Sequence, residues 1–223
     1  MNIIGISGLA GSGKDTVADF LLKHEGFVKM SLADPIKRFA MDVWEFSEEQ
    51  LWGPSKNRNS PDYRYPLGND NFLTPRLVLQ HLGTEGARAI DDNVWIRCAI
   101  RTATRLLEAK PREYCYSQTG GLETYIENYP QGEFERDENF PEKVKAVIIP
   151  DVRFKNEVQH IKAAGGKIIR VLRPGAGLAG NFALHQSEIE MSEIQDSEFD
   201  VVINNVGTLS DLKNLVDDYV SNL

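Results

Sequence analysis

The sequence predicts an α/β fold, a parallel sheet with helices on both faces. Three observations carry that expectation. Short β-rich runs alternate with amphipathic helical stretches over most of the 223 residues. The run Val144 to Ile149 is apolar apart from Lys145, as buried parallel strands largely are. A glycine-rich turn follows the first β-rich run and opens directly into a helical pattern.

Asn2 to Ser7 is the first expected strand. A helix should run from Lys14 to about His24, with Val17, Phe20 and Leu21 as its apolar stripe and Gly26 as the C′ glycine. Phe27 to Leu32 reads as the second strand. Asp34-Pro35 reads as N-cap plus N1 of a second helix ending at Trp44. Residues 45–73 hold Gly53-Pro54, Ser60-Pro61, Pro66 and Gly68-Asn69. That stretch is too punctuated for long elements and too long for an ordinary connection, which points to a functional segment. Thr74-Pro75 restarts helix, with Leu77, Val78, Leu82 and later Ala89-Ile90 on its buried face. Asp91 or Asp92 caps the next helix, to about Lys110, with Ile96, Ala99, Ala103 and Leu107 inside.

Residues 111–143 form a second irregular stretch, acidic and rich in aromatics, for which a flap and a dimer contact are both open readings. Beyond the apolar strand, Arg153 to Ala164 is expected as helix, stopped by Gly165-Gly166. Lys167 to Leu172 is expected as strand, Arg173 to Glu198 as a loop with a polar segment, and Asp200 to Asn204 as the last strand. Thr208-Leu209-Ser210-Asp211 is a capping box for a final helix.

Composition narrows the function classes. Hydrophobic residues at 41% and charged residues at 26% argue against disorder and coiled coil. Mean hydropathy is −0.35, and no run approaches the ~18 apolar residues of a membrane span. Met1 to Ser7 has no basic n-region, so no signal peptide is expected. Two cysteines, Cys98 and Cys115, suit a reduced cytoplasmic compartment better than a disulfide framework. The formal net charge of −8 argues against a broad nucleic-acid footprint. A local cluster of donors can still hold a small anion.

Gly8 to Thr16 reads G-L-A-G-S-G-K-D-T between the first strand and first helix. It fits G-x-x-x-x-G-K, with Asp15-Thr16 where Ser or Thr directly follows lysine elsewhere. The glycines let backbone N–H groups turn inward around phosphate oxygens, and the helix N-terminus adds its positive end. Gly11, Ser12, Gly13, Lys14, Asp15 and Thr16 are therefore the candidate phosphate-binding residues, with Lys14 reaching the β- and γ-phosphates. Asp15 has two readings of equal weight, a hard oxygen ligand for Mg²⁺ or an acid favoured in a first helical turn.

A second constellation follows the apolar strand: Asp151, Arg153 and Glu157. An acid beyond the carboxyl end of a parallel strand stands where a metal or an attacking group is managed, and an arginine there can clamp phosphate bidentately. Taken alone, the same residues also read as an N-cap, a surface arginine and an i,i+4 pair. Thr74-Pro75-Arg76, Gly83-Thr84, Arg88 and Trp95 form a third group. Gly83 within a helical pattern is either a kink or a site of close approach, and Trp95 is either core or a stacking platform. Arg173, leaving a strand top, can close over phosphates, whereas His185 has no partner acid and is a weak base candidate.

At these residues the sequence resembles the phage deoxynucleoside monophosphate kinases, within the P-loop nucleoside monophosphate kinase group. The matching words are Ser7-Gly8, Gly11 to Thr16, Leu32-Ala33-Asp34-Pro35-Ile36-Lys37, Glu49-Gln50-Leu51-Trp52-Gly53, Pro75-Arg76, Leu82-Gly83-Thr84-Glu85, and Asp151-Val152-Arg153 with Glu157. The Gly-Lys-Asp variant is part of the match. The resemblance implies one P-loop kinase domain over 1–223, with a monophosphate-binding insertion near 44–95 and a lid near 173–196. It implies transfer of the γ-phosphoryl group of ATP, with Mg²⁺, to a deoxynucleoside monophosphate. It puts Lys37, Arg76, Gly83, Thr84, Trp95, Asp151, Arg153 and Glu157 on the acceptor side. It implies the host cytoplasm for a phage-encoded protein, and leaves room for a homodimer. Two alternatives stay open: another small-molecule kinase on the same core, of phosphomevalonate or dephospho-coenzyme A type, and a non-catalytic P-loop nucleotide switch.

Overall fold

Short runs rich in β-branched and other apolar residues place five strands side by side in one all-parallel sheet. In the computed structural model, which describes residues 2–108, 114–116, 122–124, 141, 143–177, 190, 191 and 193–223, these are β1 (Ile3–Ser7), β2 (Phe27–Lys29), β7 (Ala146–Ile149), β8 (Lys167–Leu172) and β9 (Val201–Asn204). Their order is β2-β7-β1-β8-β9, so β1 lies at the centre. Its Ile4 is opposite Ile148 of β7 and Lys167 of β8. This sheet belongs to the first of two compact units, which comprises Met1–Ser31, Ile96–Glu113 and Pro141–Leu223.

Alternation along β1 explains why both faces are covered. Ile4 and Ile6 point into a cluster with Val17, Ala18, Phe20 and Leu21 of α1 (Lys14–Leu21), and with Leu212 and Val216 of α8 (Leu209–Ser221). Gly5 faces the other way. A Cβ there would lie 2.9 Å from Ile161 Cδ1 of α7 (Lys155–Ala163), so that helix packs directly on the strand backbone. Each of these aliphatic side chains contributes ~1.5–3 kcal/mol by leaving water. Thr208 caps α8 through its side chain, as its capping box predicts.

The second unit comprises Leu32–Trp95 and Tyr114–Phe140, and contains the 44–95 stretch. Its helices are α2 (Asp34–Trp44), α3 (Glu48–Trp52), α4 (Ser55–Asn59) and α5 (Pro75–Gln80), and α5 runs into a π-helix (His81–Arg88). Phe46, Leu51, Val78 and Ala40 form its small core. The punctuated residues 45–73 do form only short elements, including the hairpin β3 (Asp62–Gly68) and β4 (Asn71–Leu73). Asp62 is buried at the start of that hairpin. The Arg64 guanidinium hydrogen-bonds it, and Gln50 adds a second bond, holding its carboxyl well below the usual carboxylate range. Within 111–143, β5 (Tyr114–Tyr116) and β6 (Leu122–Thr124) pair antiparallel, and the rest of that stretch apart from Pro141, Lys143 lies outside the described residues.

Several expected boundaries move. α1 ends at Leu21 rather than near His24, and Gly26 takes its left-handed conformation (φ 84°) in the turn before β2. Asp34 is the first residue of α2 and Ala33 is its N-cap; Oδ1 of Asp34 accepts from the Trp52 indole. Ala89 and Ile90 are exposed rather than buried, and on α6 (Val94–Glu108) the buried position is Leu106 and not Leu107. α7 starts at Lys155, which leaves Arg153 outside the helix.

Candidate active site

The first unit gathers residues from four sequence regions around the turn after β1. Gly11 and Gly13 hold left-handed backbone, with φ of 78° and 99°, which glycine adopts without strain. The first N–H groups of α1 then open toward the loop without intrahelical acceptors. Lys14 begins the helix and is buried, its side chain 10% exposed. Its ammonium lies 3.6 Å from Asp151 Oδ1. Ser12 Oγ is buried and without a hydrogen-bond partner, as is Asp151 Oδ1. A buried hydroxyl without a partner suits an incoming phosphate oxygen as acceptor, and a carboxylate oxygen without a hydrogen bond suits a hard cation. Asp15 and Thr16 occupy the first turn of α1, Asp15 exposed.

β7 lies next to β1, and this adjacency brings the second constellation in. Val152 N–H donates to Ile6 O at 2.9 Å, pinning the chain just beyond β7 against the end of β1. Asp151 has φ 69°, a left-handed conformation that aspartate tolerates better than most residues, so it is not an N-cap of α7. Its two carboxylate oxygens divide their duty: Oδ1 faces Lys14, and Oδ2 accepts from Arg153 Nη2 at 2.7 Å. Glu157 is buried and accepts the backbone N–H of Arg153 at 2.8 Å and that of Phe154 at 3.1 Å. It thereby fixes the backbone that carries the arginine.

Arg173 is exposed directly after β8, at a turn closed by Ala176 N–H on its carbonyl. Gly177 N–H then donates to Ala10 O at 2.8 Å, tying this turn to the phosphate loop. Of the expected lid, residues 173–177, 190, 191 and 193–196 are described; His185 lies outside them.

The remaining candidates sit on the second unit. Lys37 Nζ lies 3.6 Å from buried Asp34 Oδ1 and 5.2 Å from the centre of the Trp52 ring, while Trp52 Nε1 donates to the same oxygen at 3.0 Å. Arg76, exposed, donates through Nε to Asn59 Oδ1. Gly83 is buried in the π-helix, where a Cβ would stand 3.1 Å from Ile36 Cδ1. Its carbonyl accepts the indole N–H of half-buried Trp95 at 2.9 Å. A side chain at 83 would press on Ile36, so close approach fits this glycine. The π-helix widens the turn that displays exposed Thr84 and, four residues on, Arg88. Two side chains escaped sequence reasoning: Asp34, masked by its likeness to a cap, and Asn205, which no motif marks.

The family described as deoxynucleotide monophosphate kinase matches residues 2–62. A protein of Acanthamoeba polyphaga mimivirus provisionally named deoxynucleotide monophosphate kinase is 31% identical over 222 residues, covering 100% of this chain and 97% of that protein. The chain belongs to the deoxynucleotide monophosphate kinase family. The deoxynucleotide monophosphate kinase of Enterobacteria phage T4 is 25% identical, over 95% of each chain. Among solved structures, dephospho-CoA kinase from Campylobacter jejuni is similar at 16% identity and a TM-score of 0.48, over 99% of this chain and 96% of that one.

Proposed function

We propose that this chain transfers the γ-phosphoryl group of ATP to a deoxynucleoside 5′-monophosphate, releasing ADP and the diphosphate. The observation that carries this reading is Lys14, buried at the head of α1 and sharing Asp151 with Arg153, in a chain of this family. The acceptor phosphate oxygen is already a nucleophile, so the protein needs no strong base. Its work is alignment and charge neutralisation. Gly11 to Thr16 hold the donor phosphates through backbone N–H groups, and Lys14 meets the β- and γ-phosphates. Arg153 turns its planar fork to the transferred or acceptor phosphate while Asp151 orients it. Arg173 adds charge from the β8 side. Lys37, Arg76, Gly83, Thr84, Arg88 and Trp95 serve the acceptor.

Mg²⁺ fits this donor set. The ion is commonly held by one or two carboxylates plus substrate phosphates, and Asp15 with Asp151 Oδ1, which faces Lys14 and accepts no hydrogen bond, provides hard oxygens of that kind. Bound there, it would neutralise charge on the phosphates. Asp15→Ala should therefore raise the Mg²⁺ concentration needed for half-maximal rate more than Asp15→Ser does, since serine restores a hydroxyl where phosphate loops ordinarily carry one. Superimposable Mg²⁺ titrations for both variants return Asp15 to a helix-dipole role.

The partners in this reading are small nucleotides, and the compartment is the cytoplasm. Among the described residues no helix is long and apolar enough to cross a membrane. The test is ADP release measured with dGMP, dTMP, dAMP, phosphomevalonate and dephospho-coenzyme A as acceptors. Turnover with one or more deoxynucleotides, and none with the last two, is expected. Turnover with only the latter, or ATP binding with no acceptor at all, overturns the assignment.

A further inference from the structure

The loop after β1 has a flexibility problem. Ser12 stands between Gly11 and Gly13, both at positive φ, where glycine adds backbone freedom; Ser12 N–H donates to Leu9 O at 3.0 Å and Val17 N–H to Gly13 O at 3.0 Å. A phosphate site needs its N–H groups aimed before the ligand arrives. Between those two bonds lies the Ser12–Gly13 peptide, whose carbonyl finds its partner outside the loop.

Asn205 is in contact with that loop, 193 residues away in sequence from Ser12. It follows the last residue of β9. Its own N–H donates to Leu172 O at the end of β8, at 2.7 Å, so its backbone is anchored to the central sheet. Its side-chain Nδ2 donates to Ser12 O at 2.8 Å. It also lies flush on Gly13, where a Cβ would come within 2.5 Å of Nδ2. Glycine at 13 is thus required twice, by φ 99° and by the amide pressed against it. In a trans peptide the C=O and N–H point in opposite directions, and no cis peptide is present among the described residues. Fixing the Ser12 carbonyl toward Asn205 therefore turns the Gly13 N–H away from it.

We propose that Asn205 is a positioning residue for the donor nucleotide: its amide clamps the Ser12 carbonyl and so aims the Gly13 N–H for a phosphate oxygen. The inference rests on the reading of residues 11–16 as the ATP phosphate site. Asn205 itself touches no reacting atom; it acts through the Ser12–Gly13 peptide.

The test uses Asn205→Ala and Asn205→Asp, with Lys14→Ala as control. Steady-state kinetics are run with ATP and the deoxynucleotide varied separately, ADP binding is followed by calorimetry, and melting curves identify folded variants. Asn205→Asp replaces the donor with a carboxylate facing the Ser12 carbonyl and the phosphates. It should raise the KM for ATP by about tenfold or more, and Asn205→Ala by roughly threefold to tenfold, with the acceptor KM within about twofold of the original. A residue that only ties β8 to β9 would lower the melting temperature without this split between the two KM values. An unchanged KM for ATP in a folded Asn205→Ala protein overturns the proposal, and so do equal rises for both substrates. If Asn205→Asp fails to fold, Asn205→Ala decides. If Lys14→Ala loses ADP while the Asn205 variants keep it, the loop reading stands and the clamp falls. If Lys14→Ala also keeps ADP at the original affinity, both fall.

Discussion

Lys14→Ala is expected to lower kcat on the order of 10³-fold, ~4 kcal/mol of transition-state stabilisation, while leaving the melting temperature within a few degrees. The geometry explains both halves of that result. Lys14 is the one cation of the phosphate loop, and burial reduces solvent screening of its charge. Its visible partner, Asp151, is 41% exposed and keeps Arg153 when the lysine is gone, so no isolated charge is stranded in the core. Activity within a few-fold of the unmodified protein, with an intact fold, would remove Lys14 from the chemistry and with it the assignment of the loop.

Arg153→Lys is expected to cost about tenfold or more in kcat, since a loss of ~1.4 kcal/mol suffices for tenfold. Lysine keeps the positive charge and can keep the ion pair with Asp151. What it loses is the planar fork that meets two phosphate oxygens at once. The backbone of residue 153 is fixed by Glu157, so the shorter-reaching, point-like ammonium has no freedom to compensate by moving its Cα. If Arg153 served only to neutralise Asp151, lysine would be silent. Kinetics on both nucleotides with a melting curve tell the two apart, and unchanged kcat and KM for both place Arg153 outside the site.

Local chemistry wrote much of this protein directly into its sequence. The phosphate loop needs glycines at positive φ and a lysine at the helix start, and those types at that spacing are visible before any folding. The Thr208–Asp211 and Thr74 caps are likewise interactions across three residues, and α8 and α5 begin where they say. The apolar run Ala146–Ile149 required burial on both faces, which a strand beside the sheet centre supplies. Each of these depends on neighbours a few positions apart or on hydrophobicity alone.

Tertiary structure decided the rest, because contacts across long chain separations leave no local period. Asp34 reads locally as a cap, yet it is the first helical residue, and its carboxylate meets the indole of Trp52, 18 residues on. Asp151 looked equally like a cap, and only the pairing of β7 with β1 brought it to Lys14. Gly83 could be a kink or a contact until Ile36 and the Trp95 indole closed on it. Asn205 carried no signal at all, since an asparagine after a strand is ordinary until β8 and β9 fold it against Ser12. The sequence by itself determined the α/β class and the phosphate loop, through spacing and burial. Which side chains stand around that loop was settled by strand order, because parallel neighbours in a sheet come from distant parts of the chain.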